Sequence, residues 1–265
     1  MTDDVQLPLL GTPFGASPSF VDLLGHARPE ALPSALTSPA PFPVPHGTTV
    51  LGLKYADGVV MAGDRRATSG NIIADAKMRK VFAADDYSAI AIAGAAGQAA
   101  ELVKLFQLEL EHYEKITGDR LSLEGKANRL AQMIRGNFPQ AMQGLVVVPL
   151  FGGFDDRRGE GRIFYYDATG GRWEEDDFQT TGSGGQSAKN SLKKRWSPGL
   201  QRDRAIQIAV EALIDAADDD SATGGPDASR GIWPVVLTVT SEGARDVPED
   251  QVVTAVQAVL GERGA

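Results

Sequence analysis

The chain runs to 265 residues, 42% of them hydrophobic and 23% charged, the balance of a soluble globular protein with one large domain or two small ones. A formal net charge of −9 denies it the basic face of a general nucleic-acid binder, and no apolar run reaches the roughly 18–20 residues of a membrane span. Cysteine is absent, so disulfides, thiolate catalysis and cysteine-held metals are excluded together.

Residues 1–47 differ in texture from the rest. Nine of the 15 prolines fall there, including the alternating Pro39, Pro41, Pro43 and Pro45. Proline at every second position blocks helix and removes ladder donors, so an extended or irregular segment is expected. Leu9, Leu10, Phe14, Phe20, Leu23 and Leu24 make it more apolar than a spacer. It is either a disordered tail or a removable segment that packs on a neighbour during assembly. Its first residues, Met1-Thr-Asp-Asp-Val5, carry acid where a secretory signal carries lysine or arginine, and a cytoplasmic protein is the expectation.

From Thr49 the pattern becomes compact. Two short strands to Asp64 flank a tight turn at Ala56-Asp57-Gly58. An apolar strand over Ser88–Ala93 leads through Gly94-Ala-Ala-Gly97 into a helix with Leu102, Phe106, Leu110 and Tyr113 on one stripe. A second helix is expected from about Leu123 to Phe138, bounded by Pro139. Strands follow at Leu145–Phe151 and Arg162–Tyr166, the latter in a hairpin with Trp173. Beyond Thr181-Gly-Ser-Gly-Gly185 come helices over Gln186–Arg195 and around Ile206–Leu213, a strand at Pro234–Thr240 and a closing helix through Val252, Val256 and Val259. Strands in runs, with helices in pairs between them, favour an α+β domain with an antiparallel core and helices layered outside.

The chemistry points to Gly47-Thr48. A threonine at the boundary between an irregular leader and a fold is special if the chain is cut before it. The amide nitrogen then becomes an α-amine with a pKa of about 7.7–8.0, able to accept a proton beside its own hydroxyl. Other bases are scarce: of His26, His46 and His112, only His112 survives such a cut, and its surroundings read as the exposed side of a helix. The cut chain is therefore poor material for a Ser-His-Asp triad or a zinc site. Asp64 ends the second strand, and Lys80 follows in Lys77-Met-Arg-Lys-Val-Phe82. Each alone reads as a solvated surface charge. Beside Thr48, the ammonium of Lys80 would keep the amine neutral and favour an alkoxide, with Asp64 holding the lysine in place. Gly94, at a strand-to-helix junction, is either a turn glycine or the donor of an oxyanion-binding N–H.

Gly-Thr-Thr-Val, Gly-Asp-Arg-Arg-Ala-Thr68, the lysine and the Gly-Ala-Ala-Gly junction together resemble a proteasome β subunit over residues 48–265. The long leader, Gln-Thr-Thr-Gly-Ser-Gly and Asp-Asp-Ser-Ala-Thr-Gly-Gly-Pro resemble the actinobacterial kind most. The resemblance implies a four-layer αββα sandwich of the N-terminal-nucleophile hydrolase type, behind a propeptide, residues 1–47, removed by self-cleavage of Gly47–Thr48. It implies a threonine endopeptidase with Thr48 as nucleophile, Asp64 and Lys80 in support, and Gly94 at the oxyanion. Ser183, Asp220 and Thr223 match further polar residues around the terminal amine, Thr223 standing where the family commonly has serine. Thr68 and Ala96 match positions whose backbone lines the substrate as an added strand. Ala67, Met78, Ile92 and Ala100 are expected to wall the pocket for the residue before the cut, with room for apolar side chains. The implied partners are other β subunits and α subunits in stacked heptameric rings (α7β7β7α7), a ring-shaped ATPase delivering proteins tagged with a ubiquitin-like modifier, and polypeptide substrates. No metal or cofactor is expected. Two rivals share the fold: the simpler bacterial ATP-dependent protease with six-membered rings, whose chains usually lack such a leader, and a ring-building subunit without activity.

Overall fold

The computed structural model describes residues 47–264. The expected leader, apart from Gly47, lies outside the described residues.

Strands β1 (Thr49–Tyr55) and β2 (Gly58–Gly63) form the first hairpin. A small hairpin of β3 (Ala67–Ser69) and β4 (Ile72–Asp75) follows, then β5 (Val81–Asp85) and β6 (Ser88–Gly94). Helices α1 (Ala96–Thr117), α2 (Leu123–Gly136) and the single turn α3 (Phe138–Ala141) come next. Four strands succeed them: β7 (Val147–Asp155), β8 (Glu160–Tyr166), β9 (Arg172–Glu175) and β10 (Phe178–Gly182). The chain continues with α4 (Gly185–Arg195), α5 (Arg202–Asp219), β11 (Val235–Thr240), β12 (Gly243–Asp246) and α6 (Glu249–Gly264).

The strands assemble into two five-stranded antiparallel sheets, ordered β10-β1-β2-β11-β12 and β5-β6-β7-β8-β9, with β3–β4 apart. Each strand's two faces bury different partners, because side chains alternate along a strand. On β1 and β2, Leu51, Leu53, Val60 and Ala62 pack under α4, α5 and α6, whereas Val50, Val59 and Met61 face the other sheet. On β6, Ile90 and Ile92 pack under α1 and α2, whereas Ala89, Ala91 and Ala93 face inward. Three apolar layers therefore separate four structural layers: helices, sheet, sheet, helices. This is the αββα sandwich. Burial on both faces explains why the strands read as continuous apolar runs rather than as alternations.

Close approach between the sheets is set by small residues. Met61 sits over Gly52 and Gly152, one from each sheet, and a Cβ on either would lie 2.8 or 2.9 Å from its sulfur.

Three details differ from the sequence-based expectation. Pro139 does not bound the second helix: α2 ends at Gly136 and the proline sits in the first turn of α3, where a missing N–H is harmless. Tyr113 leaves the buried stripe of α1, which comprises Leu102, Val103, Phe106 and Leu110; every residue from Glu111 to Arg120 is exposed. That helix therefore runs past the apolar layer it covers. The strands β3, β4, β5, β10 and β12 have no counterpart in the expected elements. No helix among the described residues is long and apolar enough to cross a membrane.

Candidate active site

The site lies where the two sheets open at one end. Thr48 immediately precedes β1 and Asp64 immediately follows β2, so the antiparallel pairing that sets Val50 opposite Gly63 brings them together. From the other sheet, Lys80 precedes β5 and Gly94 ends β6. The turn after β10 contributes Ser183, and the loop after α5 contributes Asp220 and Thr223. The seven residues expected to surround the reaction, Thr48, Asp64, Lys80, Gly94, Ser183, Asp220 and Thr223, thus come from six chain segments to one end of the sandwich.

Asp64 is 1% exposed and its carboxylate is saturated. Oδ1 accepts the Thr49 N–H at 2.8 Å and Lys80 Nζ at 2.6 Å; Oδ2 accepts the Arg66 and Gly224 N–H groups, each at 2.8 Å. Four donors compensate the burial of its charge, as a buried carboxylate requires. Lys80, 3% exposed, also spends all three of its N–H donors: on Asp64, on the Arg66 carbonyl at 2.5 Å and on the Gly47 carbonyl at 3.2 Å. Burial pulls the Lys80 ammonium below the ordinary lysine value, and Asp64 opposes that pull without cancelling it.

Thr48 Oγ1 donates to the Gly47 carbonyl at 2.6 Å, so this hydroxyl and the lysine converge on one oxygen. The Thr48 N–H points to Ser183 Oγ at 3.5 Å, and the Ser183 N–H donates to the Thr48 carbonyl at 2.9 Å. Ser183 Oγ in turn donates to Asp220 Oδ2 at 2.5 Å, and Thr223 Oγ1 donates to the same oxygen at 2.6 Å. Burial alone would raise the Asp220 carboxyl. The hydrogen bonds from Ser183, Thr223 and the Ala222 N–H outweigh it and hold the group below the usual carboxylate range.

Glycines allow this crowding. Gly182 has φ +103, and a Cβ there would lie 1.9 Å from the Thr48 carbonyl oxygen. Gly94 has φ +119, and its Cβ would lie 2.1 Å from the Val146 carbonyl oxygen. Both are backbone positions that only glycine adopts without strain.

Beside Thr48 a cavity of about 80 Å³ opens. Ala67, Met78, Ile92, Ala96 and Ala100 line it together with Gly94, as do Phe82 and Ala99, which the sequence did not single out. Phe82 could have been reached from strand alternation, since it follows Lys80 by two residues. Thr68 does not line the cavity; its hydroxyl packs against Gly47, 2.3 Å from where a Cβ would sit. Sequence reasoning also missed Thr49, Arg66 and Gly224, whose backbone groups hold Asp64 or Lys80. Roles carried by backbone atoms leave no residue-type signal. His112 is exposed on α1.

Chemically, the arrangement brings a hydroxyl to a peptide carbonyl beside a buried ammonium and next to an apolar cavity. A family model described as proteasome subunit matches residues 44–227. The chain is 50% identical over 264 residues to a protein of Acidimicrobium ferrooxidans named proteasome subunit beta, covering 98% of this chain and 97% of that one. It is 53% identical over 250 residues to the proteasome subunit beta of Streptomyces griseus subsp. griseus, covering 93% of this chain and 89% of that protein.

Proposed function

Since the chain belongs to the proteasome subunit family, we propose that it is a β-type peptidase subunit of the proteasome core particle and that Thr48 is its nucleophile. The observation that carries the residue assignment is the convergence of Thr48 Oγ1 and Lys80 Nζ on the carbonyl of Gly47.

In the uncut chain, that carbonyl belongs to the bond to be broken. Lys80 polarises its oxygen while Thr48 Oγ1 attacks its carbon. The Gly47–Thr48 amide becomes an ester on the threonine oxygen, and the nitrogen leaves as the free amine. Water then cleaves the ester, giving a Gly47 carboxylate and an N-terminal Thr48. The new amine faces Ser183 Oγ, which Asp220 orients.

In the cut chain the Thr48 hydroxyl attacks a substrate carbonyl and passes its proton to the amine, through water where the distance requires it. The Lys80 charge disfavours protonation of that amine and stabilises the forming alkoxide. Gly94 N–H binds the oxyanion of the tetrahedral intermediate. The leaving amine takes a proton, an acyl-enzyme remains on Thr48, and water releases it. The apolar cavity receives the side chain before the cut, so uncharged residues of modest size are preferred there. Thr68 and Ala96 pair with the substrate backbone as an added strand.

Subunits of this kind work inside stacked rings with α subunits, where an enclosed chamber keeps the nucleophile from folded proteins. A cytoplasmic location and a ring-shaped ATPase that feeds tagged chains complete the reading.

Thr48→Ala tests the core of it. The variant is expected to fold and to show no peptide hydrolysis, and intact mass of active wild type is expected to begin at Thr48. Turnover by Thr48→Ala, or activity from a chain that retains residues 1–47, would refute the assignment.

A further inference from the structure

A second threonine, next to the first, is fully buried and makes contacts that packing alone does not require. Thr49 is 0% exposed, and its backbone N–H donates to Asp64. Its Oγ1 lies 2.6 Å from Thr223 Oγ1 and accepts the Gly184 N–H at 3.0 Å. Thr223 is 1% exposed. Proton positions follow from donor arithmetic. Asp220 is an acceptor only, because its carboxyl stays ionised. The single proton of Thr223 therefore points to Asp220 Oδ2. The Thr49–Thr223 contact then needs a donor, and the only proton left is that of Thr49. The Gly184 N–H occupies an acceptor site on Thr49 and favours the same direction.

The result is a one-way chain: Gly184 N–H to Thr49 Oγ1, Thr49 O–H to Thr223 Oγ1, Thr223 O–H to Asp220 Oδ2. Ser183 O–H reaches the same carboxylate oxygen from the other side. Thr49 is thereby joined to both carboxylates of the site, to Asp64 through its backbone N–H and to Asp220 through its hydroxyl and Thr223.

We infer that Thr49 is a positioning residue for peptide hydrolysis: its hydroxyl, directed by Gly184 N–H, fixes the donor orientation of Thr223 and so holds Asp220 and Ser183 in register with the terminal nitrogen of Thr48. The inference rests on Thr48 being the nucleophile. A serine or threonine at position 49 carries the chain; a valine of the same shape breaks it and leaves the Gly184 N–H without an acceptor. Because Asp220 and Ser183 act on the reacting amine and not on the substrate's side chains, the loss falls on kcat and not on KM.

The test uses the assembled, self-cleaved particle, with kcat counted per chain that begins at Thr48 by intact mass. Thr49→Val is expected to lower kcat by about tenfold to a hundredfold, the scale of a misplaced catalytic group, with KM near the wild-type value. Thr49→Ser is expected to recover most of that loss. A Thr49→Val/Thr223→Val double variant should be no slower than Thr223→Val alone, because one chain is broken once. Wild-type kcat in Thr49→Val, a Thr49→Ser variant as slow as the valine one, or additive losses in the double variant would overturn the inference. Should Thr49→Val give no folded particle, Thr223→Val breaks the next link without touching β1 and is read for the same loss in kcat, wild-type kcat there being the overturning result. Failure of the parent reading looks different: Thr48→Ala would then remain active.

Discussion

The ion pair between Lys80 and Asp64 combines two opposing demands on one ammonium. On the proposed mechanism it must be charged to stabilise an alkoxide, yet it is buried, which favours the neutral form. The structure resolves the conflict in part, leaving Lys80 below the ordinary value of 10.5. A pH dependence follows. Between the folded and unfolded values the unfolded chain binds more protons, so the Lys80 contribution to stability rises with pH across that window. On that mechanism activity needs the ammonium and is expected to fall across the same window. The alkaline limb of kcat/KM is therefore expected below 10.5, without a matching fall in unfolding free energy from this group. Parallel titrations of activity and urea stability measure both; an alkaline limb at or above that value would contradict the account. At this scale the sequence was informative wherever side-chain chemistry identified the residue. Thr48 stood out by its place at the leader boundary in a chain without cysteine and with three histidines, and Asp64 and Lys80 only in combination with it. Arg66 is different. Its N–H and carbonyl, and not its guanidinium, bind Asp64 and Lys80, so its residue type did not mark it.

At the scale of elements, the site depends on how strand ends meet. The first residue of β1 pairs with the last of β10, Thr49 opposite Gly182. Gly182 brings the following turn over Thr48, and the contact at 1.9 Å from a notional Cβ to the Thr48 carbonyl leaves no space for a side chain. Gly182→Ala combines that clash with a positive φ. It is expected to cost at least about 2 kcal/mol of stability and to lower peptidase activity as Ser183 moves off Thr48. Urea unfolding and peptide turnover check it; an alanine variant as stable and active as wild type would show the turn to be more compliant than its geometry implies. The glycine cluster was visible in Thr181-Gly-Ser-Gly-Gly185 as a boundary, but β10 before it was not. A short segment, Phe178–Gly182, becomes a strand through pairing with β1 rather than through its own pattern. The same holds for β5, whose ladder with β6 decides its state, and for β3–β4, where all four residues of β4 are exposed and no apolar alternation announces a strand. The long helices were legible because their apolar residues recur with a helical period over several turns.

For the whole molecule, the deciding contact is sheet on sheet. Thr48 and Asp64 adjoin strands of one sheet, Lys80 and Gly94 lie beside or at the end of strands of the other, so the spacing between sheets sets the distance between the Thr48 hydroxyl and the Lys80 ammonium. Met61 fills the gap between them over Gly52 and Gly152 and is 0% exposed. Met61→Ala would leave a cavity there, costing about 2–5 kcal/mol, and is expected to lower activity as the sheets shift. Guanidinium unfolding measures the first effect and peptide turnover the second; unchanged stability would mean the layer collapses freely around the vacancy. Residue types by themselves pointed to an α+β domain with helices outside an antiparallel core, and to Thr48, Asp64 and Lys80 as candidates, because periodicity, proline clustering and the absence of thiols are local properties of a string. Only the tertiary structure decided which groups meet. The saturation of Asp64, the convergence on the Gly47 carbonyl and the chain through Thr49 join segments up to 174 residues apart, and contacts at such separation depend on how two sheets pack, which no local pattern encodes.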